Sequence, residues 1–124
     1  MADEWLAFDS SQVAAVQRRP GVFELVDSDK TTVYIGSSDN VRTTLEQHCG
    51  NPRSCVRQYG KYFRVEYSKD YRRVETVLRK LFRDVFERDP ICNEVEANES
   101  AVRPSSGRMA SFKLRMKKSL TIGF

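Results

Sequence analysis

The single histidine, His48, and three cysteines, Cys49, Cys55 and Cys92, are the residue types that first invite chemistry. A structural zinc site draws on closely spaced pairs of thiolates or imidazoles. Cys49 and Cys55 are separated by five residues and Cys92 is remote, so no paired knuckle forms and free, buried or half-buried thiols are expected. Neither a glycine-rich phosphate loop nor a Ser-His-Asp pattern is present. Four further polar positions have both a structural and a chemical use. Tyr34 suits cross-strand packing, and His48 suits a helix C-terminus, where imidazolium complements the macrodipole. Glu75 has Arg79 four residues on and Arg72 three before, the spacing of surface ion pairs, yet lies at the edge of an apolar stripe, where a ligand facing a sheet would sit. Asn93 follows Pro90 as a turn or cap residue.

The surrounding elements must position these groups. Ser10 or Ser11 is an N-cap for a short helix through Val13, Val16 and Arg18, stopped by Pro20. GVFELVD (21–27) and TVYIG (32–36) are runs of β-formers across SDKT turn chemistry, hence a β-hairpin. Ser37-Ser38-Asp39-Asn40 offers caps for a helix over 39–49, ended by Gly50-Asn51-Pro52. YFRVEY (62–67) alternates as a third strand after a basic loop. The apolar residues Tyr71, Val74, Val77, Leu78, Leu81, Phe82, Val85 and Phe86 predict an amphipathic helix over 70–88. The expected fold is α+β, a three-stranded antiparallel sheet flanked by helices, with Val22, Val33, Ile35, Leu45, Val65, Val74, Leu81 and Val85 in its core. The domain is expected over 1–95, with a basic tail over 96–124.

Gly21-Val22-Phe23 followed by Val33-Tyr34-Ile35-Gly36-Ser37 resembles the paired motif of the GIY-YIG nuclease superfamily. The likeness continues through a helix ending in His48, Glu75 in the long helix, and Pro90-Ile91-Cys92-Asn93, covering about residues 20–94. It implies a GIY-YIG endonuclease-like domain that binds DNA. In such nucleases a tyrosine helps deprotonate water, an arginine neutralises the scissile phosphate, and a glutamate holds one divalent metal, Mg²⁺ or Mn²⁺. Carried over position by position, the resemblance makes Tyr34 and His48 catalytic candidates, Glu75 the metal ligand and Asn93 the late asparagine. Phe23 stands where the first motif has tyrosine, and Thr44 stands ten residues after Tyr34, where the family has arginine. Arg42, two residues before Thr44, projects roughly 160° away on a helix. Arg42, Arg57 or Lys61 would have to bring charge to the phosphate from elsewhere. The resemblance therefore implies a DNA-binding protein with weakened or lost metal-dependent endonuclease activity.

Charge bears on partners. The 124-residue chain carries a net +4, unevenly: residues 1–52 hold 4 Lys/Arg against 8 Asp/Glu, and residues 53–124 hold 17 against 9. From Arg103 onward there are six basic residues and no acidic one. Expected nucleic-acid contacts are Arg57, Lys61, Arg72, Arg79 and the tail residues Lys113, Arg115, Lys117 and Lys118. SFKLRMKKSL (111–120) fits either a strand with one basic face or a helix with one apolar face. The alternative function is a non-catalytic protein-interaction module whose tail binds an acidic partner. No apolar run is long enough for a transmembrane helix, and the odd, unpaired thiols point to a reducing, cytoplasmic setting.

Overall fold

The computed structural model describes residues 4–102, with side chains through residue 97. The chain divides into two compact units, Met1–Asn93 and Glu94–Phe124. The sheet and the groups discussed below lie in the first. The basic residues Lys113, Arg115, Lys117 and Lys118 lie outside the described residues.

The elements in chain order are β1 (Leu6–Ala7), α1 (Ser10–Ala14), β2 (Gly21–Val26), β3 (Thr32–Ser38), α2 (Val41–Cys49), α3 (Cys55–Tyr59), β4 (Tyr62–Tyr67), α4 (Tyr71–Phe86) and α5 (Ile91–Val102). All strand pairings are antiparallel, and the sheet order is β1-β4-β2-β3. The sheet thus has four strands rather than the expected three. The extra one is the two-residue β1, pairing Leu6 with Phe63 and Ala7 with Tyr62, which is too short to show an alternating pattern.

The β2–β3 hairpin turns on Asp27. Its carboxylate accepts the backbone N–H groups of Asp29 and Thr31, and Lys30 takes a left-handed conformation at φ 66°. Helix α1 is capped by Asp9 rather than Ser10 or Ser11: its carboxylate accepts the Gln12 N–H and the Ser11 hydroxyl. Helix α2 begins at Val41 because Asn40 is its N-cap, accepting the Thr43 N–H. The expected basic loop contains α3, capped by Ser54.

Two apolar clusters lie on the two faces of the sheet. Phe23, Leu25, Tyr34 and Phe63 join Val13, Val41, Leu45 and Val56 from α1, α2 and α3. On the other face Val22 and Ile35 meet Phe82, Tyr71, Val74 and Leu78 of α4. Val22, Val33, Ile35 and Leu45 are buried as expected, with Val65 and Val74 half-buried. Leu81 and Val85 are not core: they are 55% and 72% exposed. The apolar arc of α4 is wider than the strip of sheet it covers, and periodicity cannot say which part of an arc meets the sheet.

The expectation of three free thiols is also corrected. Cys55 and Cys92 form a disulfide with Cα atoms 5.6 Å apart, tying α3 to the start of α5, and Cys49 is the free cysteine. That bond removes the support that unpaired thiols gave to a reducing setting. Among the described residues no helix is long and apolar enough to cross a membrane.

Candidate active site at the edge strand

Strand β3 is the last strand of the sheet, and the candidate groups gather along it. Tyr34 and Gly36 project to the face covered by α2, since they lie opposite Leu25 and Phe23 in the hairpin register. The Tyr34 ring, 6% exposed, has its centroid 5.9 Å from Phe23 and 5.6 Å from the His48 imidazole. Gly36 is required here. A Cβ at this position would stand 2.5 Å from Tyr34 Cε2 and 2.8 Å from Phe23 Cζ, so the glycine leaves the space that both rings fill. His48 Nδ1 shares a 3.0 Å hydrogen bond with Ser54 Oγ, which joins the last turn of α2 to the cap of α3.

Thr44, ten residues after Tyr34, is one turn before His48 on α2. Its hydroxyl donates to Ser38 Oγ at 2.7 Å, and the same Ser38 oxygen accepts the Asn40 N–H. Thr44 therefore fastens the start of α2 to the end of β3 and brings no charge. Arg42 points elsewhere, pairing with Glu46 at 3.3 Å.

Glu75 comes from the other face. Ser37, three residues beyond Tyr34 on β3, projects toward α4 and donates to Glu75 Oε1 at 2.5 Å. Arg79 donates to Glu75 Oε2 at 3.2 Å and also approaches Asp89, which pairs with Arg83 at 2.9 Å. The side chains of Glu75 and Arg79 are 23% and 27% exposed. The structure thus brings Tyr34 and His48 together on one face and Glu75, Ser37 and Arg79 together on the other. The two groups lie on opposite faces of β3, the edge strand. At that edge sits Asn93, 3% exposed. Its amide accepts the Ile35 N–H at 2.9 Å and donates to the Ile35 carbonyl at 2.8 Å, as a neighbouring strand would. Asn93 completes an edge strand and shields its polar groups.

The expected basic contacts are scattered. Arg57 on α3 and Lys61 before β4 are exposed, Arg72 lies over the Tyr71 ring at 5.5 Å, and Arg79 is held in the Glu75–Asp89 network. Three partners went unforeseen: Ser37 on Glu75, Ser38 on Thr44 and Ser54 on His48. Serines at strand ends and helix caps carry no signal of their own, because capping explains each before a site does.

A divalent cation does not fit Glu75 while Ser37 and Arg79 hold its carboxylate. Mg²⁺ binds through one or two carboxylates plus water and phosphate oxygens. Here the one carboxylate has both oxygens engaged, one by a guanidinium whose charge opposes a cation. Among the described residues no three His, Cys, Asp or Glu side chains gather as a metal cluster.

A family model described as "Domain of unknown function (DUF7508)" matches residues 1–84. Two solved structures of the GIY-YIG N-terminal endonuclease domain of UvrC from Thermotoga maritima are similar to this chain at a TM-score of 0.50. Both are tyrosine-to-phenylalanine point mutants bound to the catalytic divalent cation. They share 15% and 14% identity with this chain and cover 66% of it and 90% of their own length. The likeness shows a GIY-YIG-like fold. No curated protein matches the sequence.

Proposed function

From the premise that this chain belongs to the DUF7508 family and has a GIY-YIG-like fold, we propose that it is a nucleic-acid-binding domain, DNA its expected ligand, whose phosphodiester hydrolysis is weak or lost. The observation that carries the second half is the engagement of Glu75 by Ser37 and Arg79. A cation would have to displace or outcompete Arg79, and Thr44 supplies no charge for the phosphate. One preorganised charge stabiliser is typically worth about 10²–10³ in rate. Phe23 by itself does not argue against a bound cation, since the UvrC domain holds its cation in both tyrosine-to-phenylalanine mutants. Tyr34 beside His48 is suited to hold or move a proton, but on the far side of β3 from Glu75.

Support for the first half is the fold and the distribution of charge. Residues 4–102 contain 15 Lys/Arg against 16 Asp/Glu, so the net positive charge comes from the segment after residue 102, with its six basic residues. Binding driven by that segment would be electrostatic and only weakly dependent on sequence.

Plasmid nicking with Mg²⁺ or Mn²⁺ tests the reading. Wild type and Glu75→Ala are expected to be equally inactive, while wild type shifts duplex DNA at low salt. Metal-dependent nicking abolished by Glu75→Ala would overturn the catalytic half. Absence of DNA binding at low salt would overturn the other.

A further inference from the structure

A Glu–Arg pair four residues apart on an open helix face is weak and easily parted. The pair on Glu75 is set differently. Ser37 on β3 donates to Glu75 Oε1, and one terminal nitrogen of Arg79 donates to Glu75 Oε2 at 3.2 Å. The other terminal nitrogen of Arg79 stands 3.6 Å from Asp89 Oδ1, beyond the left-handed Glu87 that ends α4. Arg83 pairs with that same Asp89 oxygen at 2.9 Å. The Asp89 side chain is 26% exposed, close to the values for Glu75 and Arg79. Arg79 Nε is buried with no acceptor among the described residues. A dry N–H is unfavourable, so it is the two carboxylates that hold the guanidinium in this place.

The cluster is balanced, with Glu75 and Asp89 facing Arg79 and Arg83. A divalent cation added beside Arg79 would leave it strongly positive. One that displaced Arg79 would strand a guanidinium that stays charged at any working pH. Ser37 opposes a cation far less. It engages one carboxylate oxygen without charge, and carboxylates that ligate metals are themselves commonly hydrogen-bonded.

We propose that Arg79 is the resident cation of this site: its guanidinium bridges Glu75 and Asp89, and its charge is what keeps Glu75 closed to a divalent metal. The inference rests on the reading of Glu75 as an engaged carboxylate and assigns the exclusion to one side chain.

Mn²⁺ titration of the full chain, freed of nucleic acid, tests the assignment, read by thermal melting and by the paramagnetic signal of free Mn²⁺. Wild type and Glu75→Gln are expected to respond alike, with no Glu75-dependent binding up to about 1 mM. Arg79→Gln and Arg79→Met keep much of the packed stem and remove the charge. Each is expected to gain a saturable site at least about tenfold tighter than any binding by wild type, and to lose it when Glu75→Gln is added. Arg79→Lys keeps a cation on the same face and is expected to stay closed, which a role confined to packing would not require. Circular dichroism follows the fold of each variant. Glu75-dependent Mn²⁺ binding by wild type would overturn the proposal. So would folded Arg79→Gln or Arg79→Met proteins that gain no site, or an Arg79→Lys protein that binds as they do. The two readings fail separately, because nicking is scored on DNA and Mn²⁺ binding is scored without it.

Discussion

Gly36 has no side chain because the Phe23 and Tyr34 rings occupy the space where a Cβ would be. Gly36→Ala is therefore expected to destabilise the domain by about 1–3 kcal/mol through displaced rings, measured by urea unfolding. Phe23→Ala is expected to cost more, about 3–5 kcal/mol, because a fully buried ring leaves a cavity. Asn93 makes a different prediction from the one its place in the motif suggests. Asn93→Ala would leave the Ile35 N–H and carbonyl without their partner, at about 1–3 kcal/mol for each group left dry. It is expected to lower stability whether or not any cleavage is present. Asp9 supplies a pH effect. The Gln12 backbone N–H and then the Ser11 hydroxyl hold its pKa below the ordinary carboxylate value. Its contribution is present above the unfolded-state pKa and is lost as the pH falls through the lowered folded one. The stability advantage of wild type over Asp9→Ala should accordingly shrink on acidification below about pH 4, followed by thermal melts across that range.

At the scale of elements, the disulfide is a long-range tie. Cys55 and Cys92 are 37 residues apart, so closing that loop in the unfolded chain contributes roughly 3–4 kcal/mol on the chain-entropy account. Because Asn93 follows Cys92 directly, the bond also holds the Asn93 amide against β3. Reduction, or Cys55→Ser with Cys92→Ser, is expected to lower the urea midpoint and to speed hydrogen exchange at Ile35 more than at the β2–β4 pairing. Equal acceleration throughout the sheet would show that the bond acts only on global stability. The two helices that bear candidate groups differ in what holds them. Helix α2 is fastened at its start by Asn40 and Ser38 and at its end by the His48–Ser54 bond. Helix α4 is held by its apolar face and by the Ser37–Glu75 bond to β3, and no side chain caps its first turn.

Over the whole molecule, nearly equal numbers of opposite charges in residues 4–102 leave the segment after residue 102 to set the electrostatics of any encounter with nucleic acid. If its six basic residues each neutralise a phosphate, the affinity should fall by about 5 log units per decade of salt. Replacing Lys113, Arg115, Lys117 and Lys118 with Gln should reduce that slope by roughly 3–4, measured by fluorescence anisotropy. An unchanged slope would move the contact to Arg57 and Lys61. Elements α1, β2, β3, α2, β4 and α4 and their approximate ends were legible in the sequence because they rest on local chemistry: β-formers around an Asp-centred turn, caps before α2, and the apolar period of α4; β1, α3 and α5 were not. The paired motif also located β2, β3 and the α4 glutamate along the chain. Tertiary structure alone decided the rest. Whether Glu75 is open to a cation depends on Ser37 and Arg79, 38 residues and one helical turn away. Whether Asn93 serves chemistry or the sheet edge depends on Ile35, 58 residues away. Whether Leu81 and Val85 are core depends on how much of α4 the sheet can cover. A residue's type and spacing state what it can do; the partner that it meets across the fold selects which of those things it does.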